Sequence, residues 1–220
     1  MGGVMLEIKE YRNKGLVWYG SDTSRQVDRV STGFSEADSV LEGGLPAQGI
    51  VEVKTEFGVG ELRFLMPYLK SKQEQGQLVF IDPPMQINAE FLLATEIDLP
   101  KTTILTPYQQ EPALWAAEQC LNSGCCSTVV LWQQQLSIKQ MRRLMLACEQ
   151  GGASLVLIRH QDKRKSLLSL PSSISLSISS SEQGVALKVD KQKGGRSSER
   201  FTVSMLEQWP DLLPNPKRNK

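Results

Sequence analysis

Ile50-Val51-Glu52-Val53-Lys54-Thr55-Glu56-Phe57-Gly58-Val59-Gly60-Glu61-Leu62-Arg63 reads as a strand, a glycine turn and the first turn of a helix. The β-branched run at 50–53 follows Gly49, which marks its start. The turn has the setting of a phosphate-binding loop, where backbone N–H groups at a helix N-terminus can hold an anion. A working loop also needs a lysine on the β- and γ-phosphates and a Ser or Thr on Mg²⁺. Glu61 and Leu62 stand at those two positions. A carboxylate at Glu61 repels phosphate and itself complements the helix dipole. Gly58, Gly60, Glu61, Leu62 and Arg63 therefore form a degenerate phosphate-loop position, with a structural turn as the simpler reading.

Working outward, apolar strands alternate with helical patterns. Leu62, Leu65, Met66 and Leu69 recur at helical spacing over 61–73, and Pro67 inside that pattern predicts a kink or a late start. Strands are predicted at 78–81, 103–105, 128–132 and 155–158. Helices are predicted at 87–96, at 111–123 between Pro112 and Gly124, and from Ser137 as N-cap to Gly151-Gly152. Continuous apolar strands separated by helices of a dozen residues predict an α/β fold. Its sheet is mostly parallel and buried, with helices on both faces. Beyond residue 170 the pattern changes. Ile174, Leu176 and Ile178 alternate with serine, and Val185, Leu187, Val189, Phe201, Val203 and Met205 continue the alternation. Half-exposed strands forming an antiparallel C-terminal edge are expected, with a hairpin turn around Gly194-Gly195.

The chain divides into a lead-in at 1–30, a main domain at 31–206 and a flexible tail at 207–220. A short helix over 6–14 is expected in the lead-in. Composition is that of an ordinary globular protein, 40% hydrophobic and 22% charged, and the net charge of +1 gives no support to a DNA-neutralising surface. No apolar run approaches the ~20 residues of a membrane span. The N-terminus lacks a secretory signal pattern, so a cytoplasmic location is expected. The four cysteines include no Cys-x-x-Cys pair and His160 is the single histidine, so small buried or half-buried thiols are expected rather than a metal site. No metal and no cofactor is expected.

Upstream of the opening strand, Thr32-Gly33-Phe34, Asp38 and Gly43-Gly44-Leu45-Pro46 resemble the entry to a RecA-type core. Gly60-Glu61-Leu62-Arg63-Phe64-Leu65-Met66-Pro67, the segment 114–121 and Val130-Leu131-Trp132 resemble more narrowly the translesion-synthesis accessory family ImuA, over about residues 18–209. The resemblance implies a RecA-like, P-loop-NTPase-type core. The catalytic positions of that core are lost: Pro84 stands where the water-activating Glu belongs, and Trp132 where a metal-proximal Asp belongs. Asp82 remains, but a lone carboxylate without lysine, Mg²⁺ ligand or base implies a protein that is not an enzyme. The family resemblance implies an SOS-response role beside the Y-family-like polymerase homologue ImuB, RecA and an error-prone polymerase. The Leu-rich helix and following strands are also similar to SulA, an SOS inhibitor of the division protein FtsZ, though SulA chains are shorter and lack the Gly-Gly-Leu-Pro entry. SulA-like binding of FtsZ and a weak residual nucleotide-binding ATPase stay open as alternatives.

Contact surfaces have their own candidates. Arg159, Lys163, Arg164 and Lys165 follow the fifth core strand, where RecA-like proteins send out a DNA-contacting loop; a solvated basic turn reads equally well. Lys191, Lys193 and Arg196 make a basic hairpin tip. Trp209, Leu212 and Leu213 could dock on a partner.

Overall fold

The computed structural model describes residues 28–107, 110–160 and 170–210. The short helix expected at 6–14 lies outside the described residues. In chain order the elements are β1 (Arg29–Val30), α1 (Ser35–Val40), β2 (Leu45–Pro46), β3 (Gly49–Thr55), α2 (Glu61–Gln73), β4 (Gln77–Ile81), α3 (Ala89–Ala94), β5 (Thr102–Leu105), α4 (Gln110–Asn122), β6 (Cys126–Trp132), α5 (Ile138–Gly151), β7 (Ser154–His160), β8 (Ile174–Ser181), β9 (Gly184–Gln192) and β10 (Phe201–Ser204). The α/β architecture expected from the periodicity is present, with each of the five core strands starting one or two residues earlier than expected and α3 two residues shorter at each end.

Eight strands form one sheet in the order β10-β9-β8-β3-β7-β6-β4-β5. From β5 through β8 every pairing is parallel, and β9 and β10 close the other edge in antiparallel pairing. β1 and β2 form a separate antiparallel pair. The sheet separates two apolar layers. Val51, Val53, Phe80, Val130, Val156 and Leu176 face α1 and α2, while Ile50, Val79, Leu131, Leu155 and Leu157 face α4 and α5. On α2, Phe64, Leu65, Tyr68 and Leu69 are fully buried. Each such side chain contributes about 1.5–3 kcal/mol of transfer free energy.

Two helices are fixed by local chemistry that the sequence announces. Ser137 caps α5 reciprocally with Gln140, and Gly152 ends it in the left-handed region at φ 66°. Of the two effects expected of Pro67, the late start does not occur, because α2 begins at Glu61 and continues through it to Gln73. Proline removes one N–H from the ladder, but its ring finds room: an added Cβ on Gly33 would lie 2.7 Å from Pro67 Cβ. The Thr-Gly of the entry segment thus exists partly to seat the helical proline.

The serine-alternating strand also departs from expectation. β8 is an interior strand, parallel to β3 and buried on both faces. Two of its serines donate to carboxylates: Ser175 Oγ to the buried Glu52 at 2.8 Å and Ser177 Oγ to the half-buried Asp190 at 2.6 Å. β9 keeps the expected one-sided pattern, with Val185, Leu187 and Val189 buried. Burial also acts on two polar residues of α2. Desolvation pushes the Tyr68 phenol up, and its hydroxyl donates to the Pro46 carbonyl at 2.9 Å. The Lys72 ammonium is pushed down by the same cause and donates to the Ala47 carbonyl at 2.8 Å.

Candidate functional site: the degenerate phosphate loop and its pocket

Strand β3 delivers the chain into the loop 56–60, and Gly60 enters α2 at φ 107°, a left-handed conformation that favours glycine. The loop amides that would face a phosphate are already occupied. Gly58 N–H donates to both oxygens of the Glu61 carboxylate at 3.0 and 3.1 Å, and Gly60 N–H donates to one of them at 3.2 Å. Glu61 is only 5% exposed. A side chain of the first helical residue thus supplies, from within, the negative charge that a helix N-terminus attracts. Anion binding here requires displacing an intramolecular carboxylate and burying a second charge beside it.

Replacement of Glu61 by alanine leaves the Gly58 and Gly60 donors unpaired. Chemical denaturation is expected to show a loss of about 1–3 kcal/mol, and Glu61→Gln, which keeps one acceptor oxygen, should lose less. Equal stability of the alanine variant and the parent would refute this account of the loop.

Beside the loop lies a pocket of about 210 Å³ at the C-terminal ends of β3, β4 and β6. This is the end at which open α/β sheets bind ligands. Its walls include Phe57, Leu62, Pro83, Pro84, Met85 and Trp132. Asp82 has φ 56°, and the turn it makes sends Pro83 and Pro84 to the pocket wall. Pro84 offers no proton acceptor on its side chain, and Trp132 is an apolar plate, 5% exposed and tilted against Phe80 at 6.2 Å between ring centroids. The residues at the water-activating and metal-proximal positions are therefore wall residues of an apolar pocket. Trp132 Nε1 is buried and has no hydrogen-bond partner among the described residues.

Arg63 is half-buried on the rim of the same pocket, with its guanidinium 5.8 Å from the centroid of the Trp209 ring. Trp209 stacks on Phe91, another pocket residue, at 5.9 Å and 20°. Gln208 Nε2 donates to the Gly33 carbonyl at 2.7 Å. Gln208 and Trp209 thus make contacts with residues of the entry segment, α2 and α3. Leu212 and Leu213 lie outside the described residues.

The basic candidates divide. Arg159 is not a surface contact: it is 5% exposed, pairs with Glu52 at 2.8 Å and donates to the Gln134 carbonyl at 2.9 and 3.2 Å. The structure makes it the partner of a buried carboxylate, a role with no local signal because Glu52 is 107 residues away in sequence. Lys191 is half-buried, with Nζ donating to the Leu170 carbonyl at 3.2 Å. Lys193 and Arg196 are exposed and make no ion pair among the described residues. Lys163, Arg164 and Lys165 lie outside the described residues. His160 is exposed, with its ring edge-on to Phe57.

Cysteines gather at the α4–β6 turn. The Cys120 thiol and the Ser123 hydroxyl both donate toward Cys126, lowering its thiol to about 6. Cys148 is buried and Cys125 exposed. Among the described residues no cluster of three or more His, Cys, Asp or Glu could hold a metal ion, and no helix is long and apolar enough to cross a membrane.

Comparison with known proteins agrees with the fold. No family model matches the chain. RecA of Synechococcus elongatus is 27% identical over 130 residues, which cover 58% of this chain and 36% of that protein. RecA of Clostridioides difficile is 29% identical over 125 residues, covering 56% and 36%. The chain therefore spans little more than a third of the length of these relatives. The crystal structure of SulA from Pseudomonas aeruginosa is 25% identical and matches 50% of this chain and 98% of that one, with a TM-score of 0.44.

Proposed function

We propose that this chain is a non-catalytic, RecA-like accessory protein of SOS-induced translesion DNA synthesis, acting through protein contacts. It would join a Y-family-like polymerase homologue and an error-prone polymerase to RecA or to DNA. The observation that carries the non-catalytic part is the Glu61 carboxylate bonded to Gly58 and Gly60 N–H in the place of a phosphate. Pro84 and Trp132 in the adjoining wall support it, since neither side chain can activate water or ligate Mg²⁺. The SOS part is supported by the distant similarity to RecA and by the motifs that resemble the ImuA family.

Two measurements on the full chain test the two parts. Calorimetric titration with ATP and Mg²⁺ is expected to show no binding at millimolar ligand, and steady-state assays no turnover. ATP turnover above background that disappears on changing Glu61 or Asp82 would sink the non-catalytic reading. Cells lacking the chain should lose most of their damage-induced mutations and regain them on complementation. Unchanged mutation frequency would remove the translesion role.

A further inference from the structure

We infer that Cys126 and Cys120, at the turn from α4 into β6, form a hydroperoxide-reactive dithiol: Cys126 is the sulfur that is oxidised, and Cys120 is the thiol that then closes on it as an intrachain disulfide. This chemistry is independent of the SOS reading, and either can hold without the other.

The placement of the side chains carries it. Cys120 lies in the last turn of α4 and Cys126 opens β6. Both are half-buried, and both pack against the apolar layer that contains Leu121 and Val129. The Cys120 thiol donates to the Cys126 sulfur. Ser123 clamps the turn between them: its Oγ lies 2.7 Å from the Cys120 carbonyl oxygen and 3.7 Å from the Cys126 sulfur. Gly124 reverses the chain there at φ 69°. Asn122, Ser123, Gly124 and Cys125 are all exposed, so a small oxidant can reach the edge of the pair.

Cys125 is the competing thiol, and it is turned away. Its Sγ contacts the Ser123 carbonyl at 3.7 Å, and its own carbonyl accepts from Gln77 N–H at 2.9 Å. Successive side chains entering a strand point to opposite sides. Cys126 therefore shares its side with Cys120, and Cys125 does not.

The pair divides two roles between two sulfurs. The hydrogen bond from Cys120 lowers the Cys126 thiol against the opposing effect of burial, and Ser123 adds to it. This favours the thiolate, which is the nucleophilic form. The same hydrogen bond, burial and the adjacent negative charge push the Cys120 thiol up, so Cys120 stays protonated while Cys126 is charged. In the first step the Cys126 sulfur attacks one peroxide oxygen. An S–O bond forms, the O–O bond breaks, and the departing alkoxide takes a proton from water to become an alcohol. Cys126 is now a neutral sulfenic acid, and the charge that held Cys120 protonated is gone. Cys120 then attacks the Cys126 sulfur. The S–S bond forms, the S–O bond breaks, and hydroxide leaves with the Cys120 proton as water. Two electrons pass from the sulfur pair to the peroxide, and an external dithiol returns them by exchange.

The test uses the full chain, treated with hydrogen peroxide, quenched with an alkylating agent and cut with trypsin. Residues 102–139 leave as one peptide holding Cys120, Cys125 and Cys126. In the reduced chain all of these cysteines are alkylated. After peroxide only Cys125 should be, and dithiothreitol should restore alkylation of Cys120 and Cys126. Cys120→Ser should stop the reaction at the sulfenic acid, which dimedone traps on Cys126. Cys126→Ser should give neither adduct nor disulfide and leave Cys120 free to alkylate, while Cys125→Ser should react like the parent. Oxidation of Cys126 should outpace that of the more exposed Cys125 by at least about tenfold, an order that exposure alone would reverse. Full alkylation after peroxide, a bridge to Cys125, or a Cys126→Ser chain oxidised at the parent's rate overturns the inference. So does a disulfide found only between two chains. The parent's peptide map decides the matter even where a serine variant fails to fold.

Discussion

Glu52→Ala should lower the unfolding free energy by about 3–5 kcal/mol, the cost of leaving one partner of a buried ion pair without the other. Glu52 lies on the central strand β3 and is 2% exposed. Its carboxylate accepts from Arg159 Nη1 at 2.8 Å and from Ser175 Oγ at 2.8 Å. Removing it strands the Arg159 guanidinium with only the Gln134 carbonyl. For a domain of this size each kcal/mol moves the melting temperature by about 2–4 °C, so the midpoint should fall by roughly 10 °C. The double change Glu52→Met/Arg159→Met should recover much of the loss, because an apolar pair of similar volume removes both desolvated charges. Thermal denaturation of the three chains decides the matter. A Glu52→Ala midpoint within a degree or two of the parent would show that the pair contributes nothing.

The second large effect is expected at Gly44. Gly44 has φ 121°, in the region that favours glycine, and a Cβ there would lie 2.1 Å from the Val30 carbonyl oxygen. The clash is with backbone, which holds the β1–β2 pair at Val30 and Leu45 and cannot step aside as a flexible side chain could. Gly44→Ala therefore combines backbone strain of about 1–3 kcal/mol with overpacking of about 1–3 kcal/mol. Gly124, in the α4–β6 turn, gives the control: it also has positive φ, 69°, but nothing lies within 4 Å of its added Cβ. Gly124→Ala should suffer the strain alone. Denaturant midpoints that rank the two variants in the opposite order would contradict this assignment.

These two sites differ in how far they could be read in advance. Gly43-Gly44-Leu45-Pro46 is local, and its turn is visible as a turn in the sequence. The same holds for the Ser137 cap and for the apolar faces of α2 and α5, whose helical spacing is itself local. Arg159 could not be read, because basic residues after a strand look alike whether they face solvent or a carboxylate brought from the far side of the chain. The serines of β8 misled for the same reason. Alternation with small polar residues is the pattern of a half-exposed strand, and only the presence of Glu52 and Asp190 on the adjoining strands turns those hydroxyls inward. At the loop, the missing lysine was legible, and so was the preference of Glu61 for the helix dipole. The direct bonds from Gly58 and Gly60 needed coordinates. Trp209 reads as a tail residue because its partners, Phe91 and Arg63, are more than a hundred positions earlier.

Strand β3 has a consequence for how the chain is made. Both of its neighbours come from the second half of the sequence, and the Arg159 guanidinium and Ser175 hydroxyl that donate to Glu52 are 107 and 123 residues downstream. A nascent chain emerging from the ribosome can form α2 and the β4–β6 pairing early, yet its central strand has no partner on either side until β7 and then β8 are synthesised. Such late, long-range pairing slows folding and leaves apolar edges uncovered while it is pending. Assembly of this domain is therefore a closing step, completed from the C-terminal side, in which β7 brings the guanidinium that pairs with Glu52 and β8 covers the remaining edge of the central strand.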